Sequence, residues 1–333
     1  MRLRTINRTT TSIVTGGAGF LASHLVDALI SAGHRVIVID DLSTGRVANL
    51  SGALQTGMVT FVYGDVSTVA AALEETLLTL KSTRIDNIFH FASPASPEAY
   101  SAHPWETLLA NSVGTMSLID LAIDRRARFV YASTSEVYGD PLVHPQPEHY
   151  FGNVDPIGPR ACYDEGKRFG EAAVSVAATR RGLDARILRF FNIYGPRMDL
   201  SDGRLIPALL SAVERGQPLP IHGSGSQSRS MTYVTDAVAG ILAVISQHDT
   251  WRPVNVGSDE ELTVEEVAAA VAAASKRPLE ITHLEPRLGD PQRRKPDLCT
   301  LRSLGWEAKT SFREGIRMTC DWFERERVRQ PVA

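Results

Sequence analysis

A chain of 333 residues, 43% hydrophobic and 22% charged, has the mix of an ordinary globular protein and length for one large or two unequal units, which excludes a disordered chain. Its net charge of -3 gives no long-range attraction to nucleic acid or anionic lipid, so neither is expected as a partner. Three cysteines, Cys162, Cys299 and Cys320, show neither paired nor metal-ligand spacing; no metal is expected, and reduced thiols point to the cytoplasm.

Residues 1–11 are basic and Thr-rich without the apolar core of a signal peptide. No run approaches the roughly 18 apolar residues of a membrane span, so a soluble, unexported protein is expected. Residues 12–14 are a short β-prone run, a Gly-rich turn follows, and 20–32 shows helical spacing before a second strand at 35–39. The alternation continues with a strand at 59–63, a helix to about Leu80, a strand at 87–91, a helix over 107–123 and a strand at 129–132. It predicts an α/β fold, a Rossmann-type doubly wound parallel sheet covered on both faces. After Arg197 the texture changes to an Asp/Ser/Gly segment at 199–203, a Gly/Ser loop at 223–228 and helices separated by short strands such as 254–256. A smaller C-terminal α/β lobe is predicted, with residues 1–197 as the dinucleotide domain, 198–333 as mainly substrate-binding, and a cleft between them. The charged run 324–329 reads as a solvated helix end.

Residues 15–20, Thr-Gly-Gly-Ala-Gly-Phe, join the first strand to the first helix. Gly16, Gly19, Phe20 and Leu21 therefore stand where backbone N–H groups and a helix N-terminus favour a pyrophosphate. A Gly-rich triplet alone is equally a tight turn; strand, glycines, helix, strand and acid in that order are specific. Asp40 ends the second strand about 20 residues on, where a carboxylate accepts both adenosine ribose hydroxyls, so the cofactor is read as NAD. Asp40 would repel a phosphorylated ribose, and Arg46 is the one neighbouring base that could offset this. Asp65 and Val66, after the third strand, stand where an adenine contact is expected; the other reading of Asp65 is a plain loop carboxylate.

Tyr163 and Lys167, four residues apart, share a face if their segment is helical. Tyr-x-x-x-Lys by itself is usually surface decoration; its weight comes from following a dinucleotide unit and the strand-end run Ser133-Thr134-Ser135-Glu136. A phenol titrates at about 10, so Lys167 and a cationic nicotinamide are expected to favour its phenolate. Thr134 is expected to hydrogen-bond the same sugar hydroxyl and align the C–H for hydride transfer, unless it only caps the strand end.

These strings, with Asn111-x-x-Gly114-Thr115 and Arg189-Phe-Phe-Asn192-x-Tyr-Gly-Pro-Arg197, occur in the order of extended short-chain dehydrogenase/reductases of the NAD-dependent epimerase/dehydratase group, which the chain resembles over nearly its whole length. Within that group it is most similar to UDP-glucuronate decarboxylases, through residues 92–97 (Ala-Ser-Pro-Ala-Ser-Pro), 158–168 (Gly-Pro-Arg-Ala-Cys-Tyr-Asp-Glu-Gly-Lys-Arg) and 293–297 (Arg-Arg-Lys-Pro-Asp). The resemblance implies that Thr134, Tyr163 and Lys167 are catalytic, the last two also touching the cofactor. It implies that Asn192, Arg229 and Arg293 hold the nucleotide diphosphate, for which guanidinium is suited, although each arginine singly is equally a solvated charge. It also implies a homodimer through the helix at 107–123 and the one carrying Tyr163.

The implied reaction is oxidation of UDP-glucuronate at C4, which places a ketone β to the C6 carboxylate; carbon dioxide leaves, and hydride return gives UDP-xylose and regenerates the cofactor. Sugar 4,6-dehydratases carry Asp-Glu after the threonine. Here the pair is Ser135-Glu136, which disfavours dehydration and leaves Glu136 either to order a water or proton near C5 or to serve as a strand-end carboxylate. Arg294 is the second cation of its string, where many related epimerases keep only the first. It is a candidate for the C6 carboxylate or for decarboxylation; the other reading has it support Asp297 or face water. Arg204-Leu205-Ile206-Pro207 departs from the decarboxylase pattern and resembles sugar 4-epimerases, so 4-epimerisation to UDP-galacturonate is the alternative. A non-catalytic nucleotide-sugar sensor is disfavoured by the intact Thr134, Tyr163 and Lys167.

Overall fold

Apolar residues alternate along the first strands and enter two different cores in the computed structural model, which describes residues 10–79, 84–275, 279–286 and 293–329. Strand β1 (Thr11–Thr15) sends Ile13 to one core and Val14 to the other; β2 (Arg35–Asp40) divides Ile37 and Val38 in the same way. A period of two with both faces apolar requires helices on both sides of the sheet. Helix α1 (Phe20–Ser31), between these strands, buries Leu25, Val26 and Leu29 in the second core. The chain continues through α2 (Ser51–Gln55), β3 (Val59–Tyr63), α3 (Ala70–Thr79) and β4 (Asn87–His90). Leu80, the predicted end of the third helix, and residues 1–9 lie outside the described residues.

Next come α4 (Pro97–Ala102), α5 (Pro104–Leu109), a π turn at Ala110–Gly114 and α6 (Thr115–Arg125), so the helix expected over 107–123 runs unbroken from Pro104 to Arg125 and widens by one π turn where Asn111 sits. Asn111 donates to the Thr107 carbonyl and to the Ser93 hydroxyl, both at 2.8 Å, which ties the turn to the segment after β4. Strand β5 (Arg128–Thr134) runs into a short 3-10 turn at Ser135–Tyr138, and a long loop leads to α7 (Ala161–Arg181) and β6 (Ala185–Phe190).

The remainder is β7 (Asn192–Tyr194), α8 (Leu205–Arg215), β8 (Leu219–His222), β9 (Ser228–Tyr233), α9 (Val234–Gln247), β10 (Pro253–Val256), β11 (Glu261–Thr263), α10 (Val264–Ser275), β12 (Ile281–Leu284), β13 (Arg293–Arg294), α11 (Cys299–Ser303) and α12 (Phe312–Arg329). Seven parallel strands form the main sheet in the order β10-β6-β5-β4-β1-β2-β3, a doubly wound Rossmann-type arrangement. Residues 254–256, which sequence grouped with the smaller lobe, instead form the sheet's edge. Their neighbour α9 buries Ala237, Ile241 and Val244 in the core that α1 covers, which draws the strand back. A third core, with Leu209 of α8, Ile221 of β8, Val267 of α10 and Ile316 of α12, belongs to the smaller lobe.

Candidate active site

The strand order reverses between β1 and β4, and in such sheets the crevice lies beyond the carboxyl ends of those two strands. The Gly16 turn, the segment after β4 and the smaller lobe enclose a cleft there of about 680 Å³. Gly16 has a φ of +68°, and a Cβ on it would lie 2.7 Å from the Ala92 nitrogen, so only glycine lets the turn close on that segment. Gly19 caps α1 with no side-chain hydrogen bond, which leaves the first N–H groups of the helix for an anion. Phe20 and Leu21 line the same wall.

Asp40 is buried at the end of β2, where its carboxylate accepts from the Ala18 amide at 2.9 Å and the Leu42 amide at 2.8 Å. Burial pushes its pKa up, and the two backbone donors oppose the shift. Asp65 is anchored similarly by the Ser67 amide at 2.7 Å and hydroxyl at 2.8 Å, beside Val66 at the cleft wall. A turn that excludes any Cβ, an uncapped helix start and a fixed carboxylate suit the pyrophosphate and vicinal ribose hydroxyls of a dinucleotide. Arg46, the base that could have offset a phosphorylated ribose, is paired with Asp199 at 2.5 Å.

Small residues bring the Tyr163 helix onto the sheet. A Cβ on Gly170 would sit 2.0 Å from the Tyr131 hydroxyl, and one on Gly166 would sit 3.3 Å from Asn111 Cβ. Close approach places Tyr163 and Lys167 against the end of β5, where Tyr163 hydrogen-bonds Thr134 and Lys167 Nζ donates to the Ala132 carbonyl at 2.8 Å. A buried network holds the helix there. Arg189 of β6 donates to both Glu171 oxygens of α7, at 2.8 and 2.7 Å, and to the Tyr138 hydroxyl at 2.9 Å; that hydroxyl donates to Asn255 at 2.7 Å. Burial raises the Tyr163 pKa, with the Thr134 bond as the first opposing influence, and lowers that of Lys167 to about 7. The Lys167 Nζ, expected to favour the phenolate, lies 5.8 Å from the Tyr163 ring centre, and its hydrogen bond goes to backbone.

Besides its bond to Tyr163, the Thr134 hydroxyl accepts from the Glu136 amide at 3.2 Å and so caps the turn that begins at Ser135. Glu136, read either as ordering a water or proton or as a strand-end carboxylate, is gripped by guanidinium groups. Arg294 binds both its oxygens, with one contact at 2.5 Å, and Arg160 binds Oε2. Burial would raise the Glu136 pKa, but Arg294 and then Arg160 outweigh it and hold the carboxyl below the usual range.

Arg294 neither supports Asp297 nor faces water; it is buried and lines the cleft. Successive residues on a strand point to opposite faces, so Arg293, expected as a diphosphate clamp, is turned outward, exposed and off the cleft wall. Arg229 and Asn192 do line the cleft, and the buried Asn192 Nδ2 has no partner among the described residues, which leaves a donor unsatisfied there. Sequence reasoning assigned no role to Arg160 or Tyr100. Tyr100 stacks on Tyr163 with ring centres 5.2 Å apart and planes 11° apart. The only signal for Arg160 was its place in the string at 158–168.

The arrangement has a crevice at the strand-order reversal, a phenol with a hydroxyl partner and a neighbouring amine, and a buried cation lining the same cleft. It can remove a proton from an alcohol beside a hydride acceptor and can hold an anionic sugar. Among the described residues, no group of three or more His, Cys, Asp and Glu side chains could hold a metal ion, and no helix is long and apolar enough to cross a membrane.

Residues 12–257 match the NAD dependent epimerase/dehydratase family. The chain is 40% identical over 315 residues to UDP-glucuronic acid decarboxylase 1 of Xenopus tropicalis, covering 94% of this chain and 72% of that protein. It is 43% identical over 315 residues to UDP-glucuronic acid decarboxylase 1 of Arabidopsis thaliana, with 94% and 70% covered. Its fold is similar to a dTDP-glucose 4,6-dehydratase of Streptomyces venezuelae crystallised with NAD, with a TM-score of 0.85, 28% identity, and 97% of this chain and 99% of that one covered.

Proposed function

The chain belongs to the NAD dependent epimerase/dehydratase family, and we propose that within it this protein is a UDP-glucuronate decarboxylase that forms UDP-xylose. The observation that carries this reading is the buried Arg294, presented to the cleft beside Glu136 and near the Thr134–Tyr163 pair, where a sugar carboxylate needs a cation. Its relatives at 40% and 43% identity carry that activity in their names.

Bound NAD supplies the acceptor for the C4 hydride and the donor that restores it. Gly16, Gly19, Phe20 and Leu21 would hold its pyrophosphate, Asp40 its ribose, and Asp65 with Val66 its adenine. Asn192 and Arg229 take the nucleotide diphosphate through charged and neutral donors. Thr134 and Tyr163 bind the C4 hydroxyl, and Tyr163 accepts its proton as phenolate while Lys167 stabilises that charge. With C4 a ketone, the C6 carboxylate lies β to it. Arg294 orients that carboxylate; carbon dioxide leaves, the bonding electrons become an enolate, C5 takes a proton from water beside Ser135 and Glu136, and the stored hydride returns to C4 as Tyr163 gives its proton back to the C4 oxygen.

Residues 1–197 then form the NAD-binding part, completed by β10, and 198–333 supply mainly the nucleotide-sugar lobe. A cytoplasmic homodimer completes the reading. Trp105, Met116, Phe169 and Val176 are large apolar side chains exposed on α5, α6 and α7, the helices expected to meet a second copy, and the three cysteines are free. A monomer mass in light scattering would reject the dimer.

A second reading, 4-epimerisation to UDP-galacturonate, is favoured by Arg204 to Pro207, which line the cleft in an epimerase-like string. Incubation with UDP-glucuronate and NAD separates the two. Release of carbon dioxide with a pentose product is expected; a product of unchanged mass rejects decarboxylation.

A further inference from the structure

Four charged side chains meet at the sugar end of the cleft, and two of them, Arg160 and Asp164, have no part in the scheme above. Arg160, the N-cap residue of α7, donates to Glu136 and lies 3.8 Å, through Nε, from Asp164 Oδ2. Asp164 is buried, and its Oδ1 has no hydrogen-bond partner among the described residues; the same holds for Nε of Arg160 and of Arg294. Asp164 faces Arg160, Cys162, Tyr163 and Glu165 from its own helix, Glu136 from the turn after β5, Arg294 from β13 and Tyr100 from α4.

The inner four charges balance, two guanidinium groups against two carboxylates. A uronate brings a third carboxylate to Arg294, which Glu136 already occupies on both oxygens. Unless something changes, the cluster would then carry one uncompensated negative charge in a setting largely withdrawn from water, where charge imbalance is costly. Arg160 can retain Glu136 when Arg294 turns to the substrate, since it already binds Oε2. Asp164 is the carboxylate with a free oxygen to take a proton.

We propose that Arg160 and Asp164 are a proton-linked positioning pair: when the substrate carboxylate draws Arg294 away from Glu136, Arg160 keeps Glu136 in place and Asp164 takes up one proton from solvent. This rests on the assignment of Arg294 to the sugar carboxylate. The proton adds to one Asp164 oxygen, no covalent bond to carbon changes, and the cluster with its bound uronate returns to neutrality. Burial, and next the nearby Glu136, already push Asp164 up to about 7, so the uptake falls within the ordinary working range.

Holoenzyme carrying Tyr163→Phe provides the test, because it binds substrate without turning it over. Calorimetric titration at pH 7, in two buffers of different ionisation enthalpy, counts the protons exchanged on binding. UDP-glucuronate should draw in about half a proton, as expected for a group near half-ionised at that pH, and UDP-glucose none. Adding Asp164→Asn should remove the uptake while binding persists. Uptake that survives Asp164→Asn overturns the pair, and so does a protein that prefers UDP-glucuronate yet takes up no proton. In otherwise wild-type enzyme, Arg160→Gln should lower kcat with little change in KM, and Arg160→Lys should restore part of it; an unchanged kcat in Arg160→Gln also overturns the pair. If UDP-glucuronate and UDP-glucose bind equally, with and without Arg294→Gln, the underlying assignment of Arg294 fails instead.

Discussion

Replacing Gly170 by alanine should impair this enzyme even though it improves a helix. In a helix interior alanine is favoured over glycine by about 1 kcal/mol. Here the added Cβ would lie 2.0 Å from the Tyr131 hydroxyl oxygen and 2.2 Å from Cζ of the same ring. Tyr131 is fully buried in the core beneath α7, so its ring has nowhere to turn. Restoring ordinary contact at 3.4 Å from 2.0 Å requires a shift of about 1.4 Å, and α7 is the element that can lift. Overpacking of this kind costs about 1–3 kcal/mol, which leaves a net loss of up to about 2 kcal/mol after the propensity gain. The catalytic loss should be larger. Lys167 lies one turn from Gly170 and Tyr163 two turns, and the 2.8 Å contact of Lys167 with Ala132 cannot survive such a lift. A 1 Å misplacement of reacting groups can cost on the order of 100-fold in rate. Urea unfolding followed by circular dichroism measures the first effect, and the initial rate of carbon dioxide release from UDP-glucuronate measures the second. A Gly170→Ala protein of undiminished stability and full rate would refute the claim that close approach of α7 to β5 sets the site.

Asp40→Ala should weaken NAD binding by about ten- to a hundredfold, the worth of a lost charged hydrogen bond of about 1.5–3 kcal/mol, as read by fluorescence titration; unchanged affinity would place the ribose elsewhere. Burial lowers Lys167 from 10.5 to about 7, so between those pH values the unfolded chain binds more protons than the folded one. This group's contribution to stability therefore rises with pH from about 7 to 10.5, and below 7 its burial penalty is complete. Lys167→Met should raise the urea midpoint at pH 6 and flatten that rise while abolishing turnover; a midpoint below wild type would show that the Ala132 bond outweighs the desolvation.

Strands β1 to β5 were legible because a sheet buried on both faces needs apolar runs at intervals set by the covering helices, whereas β6 was not read as a strand and only its end entered the reading, in the string that begins at Arg189. The Gly16 turn and Asp40 were legible for a related reason, since one strand-helix-strand unit fixes their separation. Residues 254–256 were recognisable as a strand but not as the edge of the main sheet. A Val-Asn-Val run pairs with any open edge, and the choice is made by α9, whose Ala237 and Ile241 pack on the larger core. The outward turn of Arg293 depends on a two-residue strand beside β9, too short to leave a periodic trace. Arg160 was hidden for another reason: its meaning arises only where Glu136, from the end of β5, and Arg294, from β13, arrive in space. The lowered pKa of Lys167 follows from depth in the structure, which a residue's neighbours in sequence do not report.

The chain of bonds from Glu171 through Arg189 and Tyr138 ends on Asn255, whose own amide donates to the carbonyls of Gln146 at 2.9 Å and Asp297 at 3.1 Å. A ribosome that had reached Arg197 would have made the glycine turn, the tyrosine and the lysine, yet not the amide on which this network closes. Bringing such distant stretches together is slow, because the intervening loop must be gathered first. Competence for chemistry is thus a property of the finished polypeptide, acquired only after its C-terminal half threads back to the sheet. A single proteolytic nick between α9 and β10 should disarm the enzyme while the Gly16 turn, Thr134, Tyr163 and Lys167 stay together on one uncut segment.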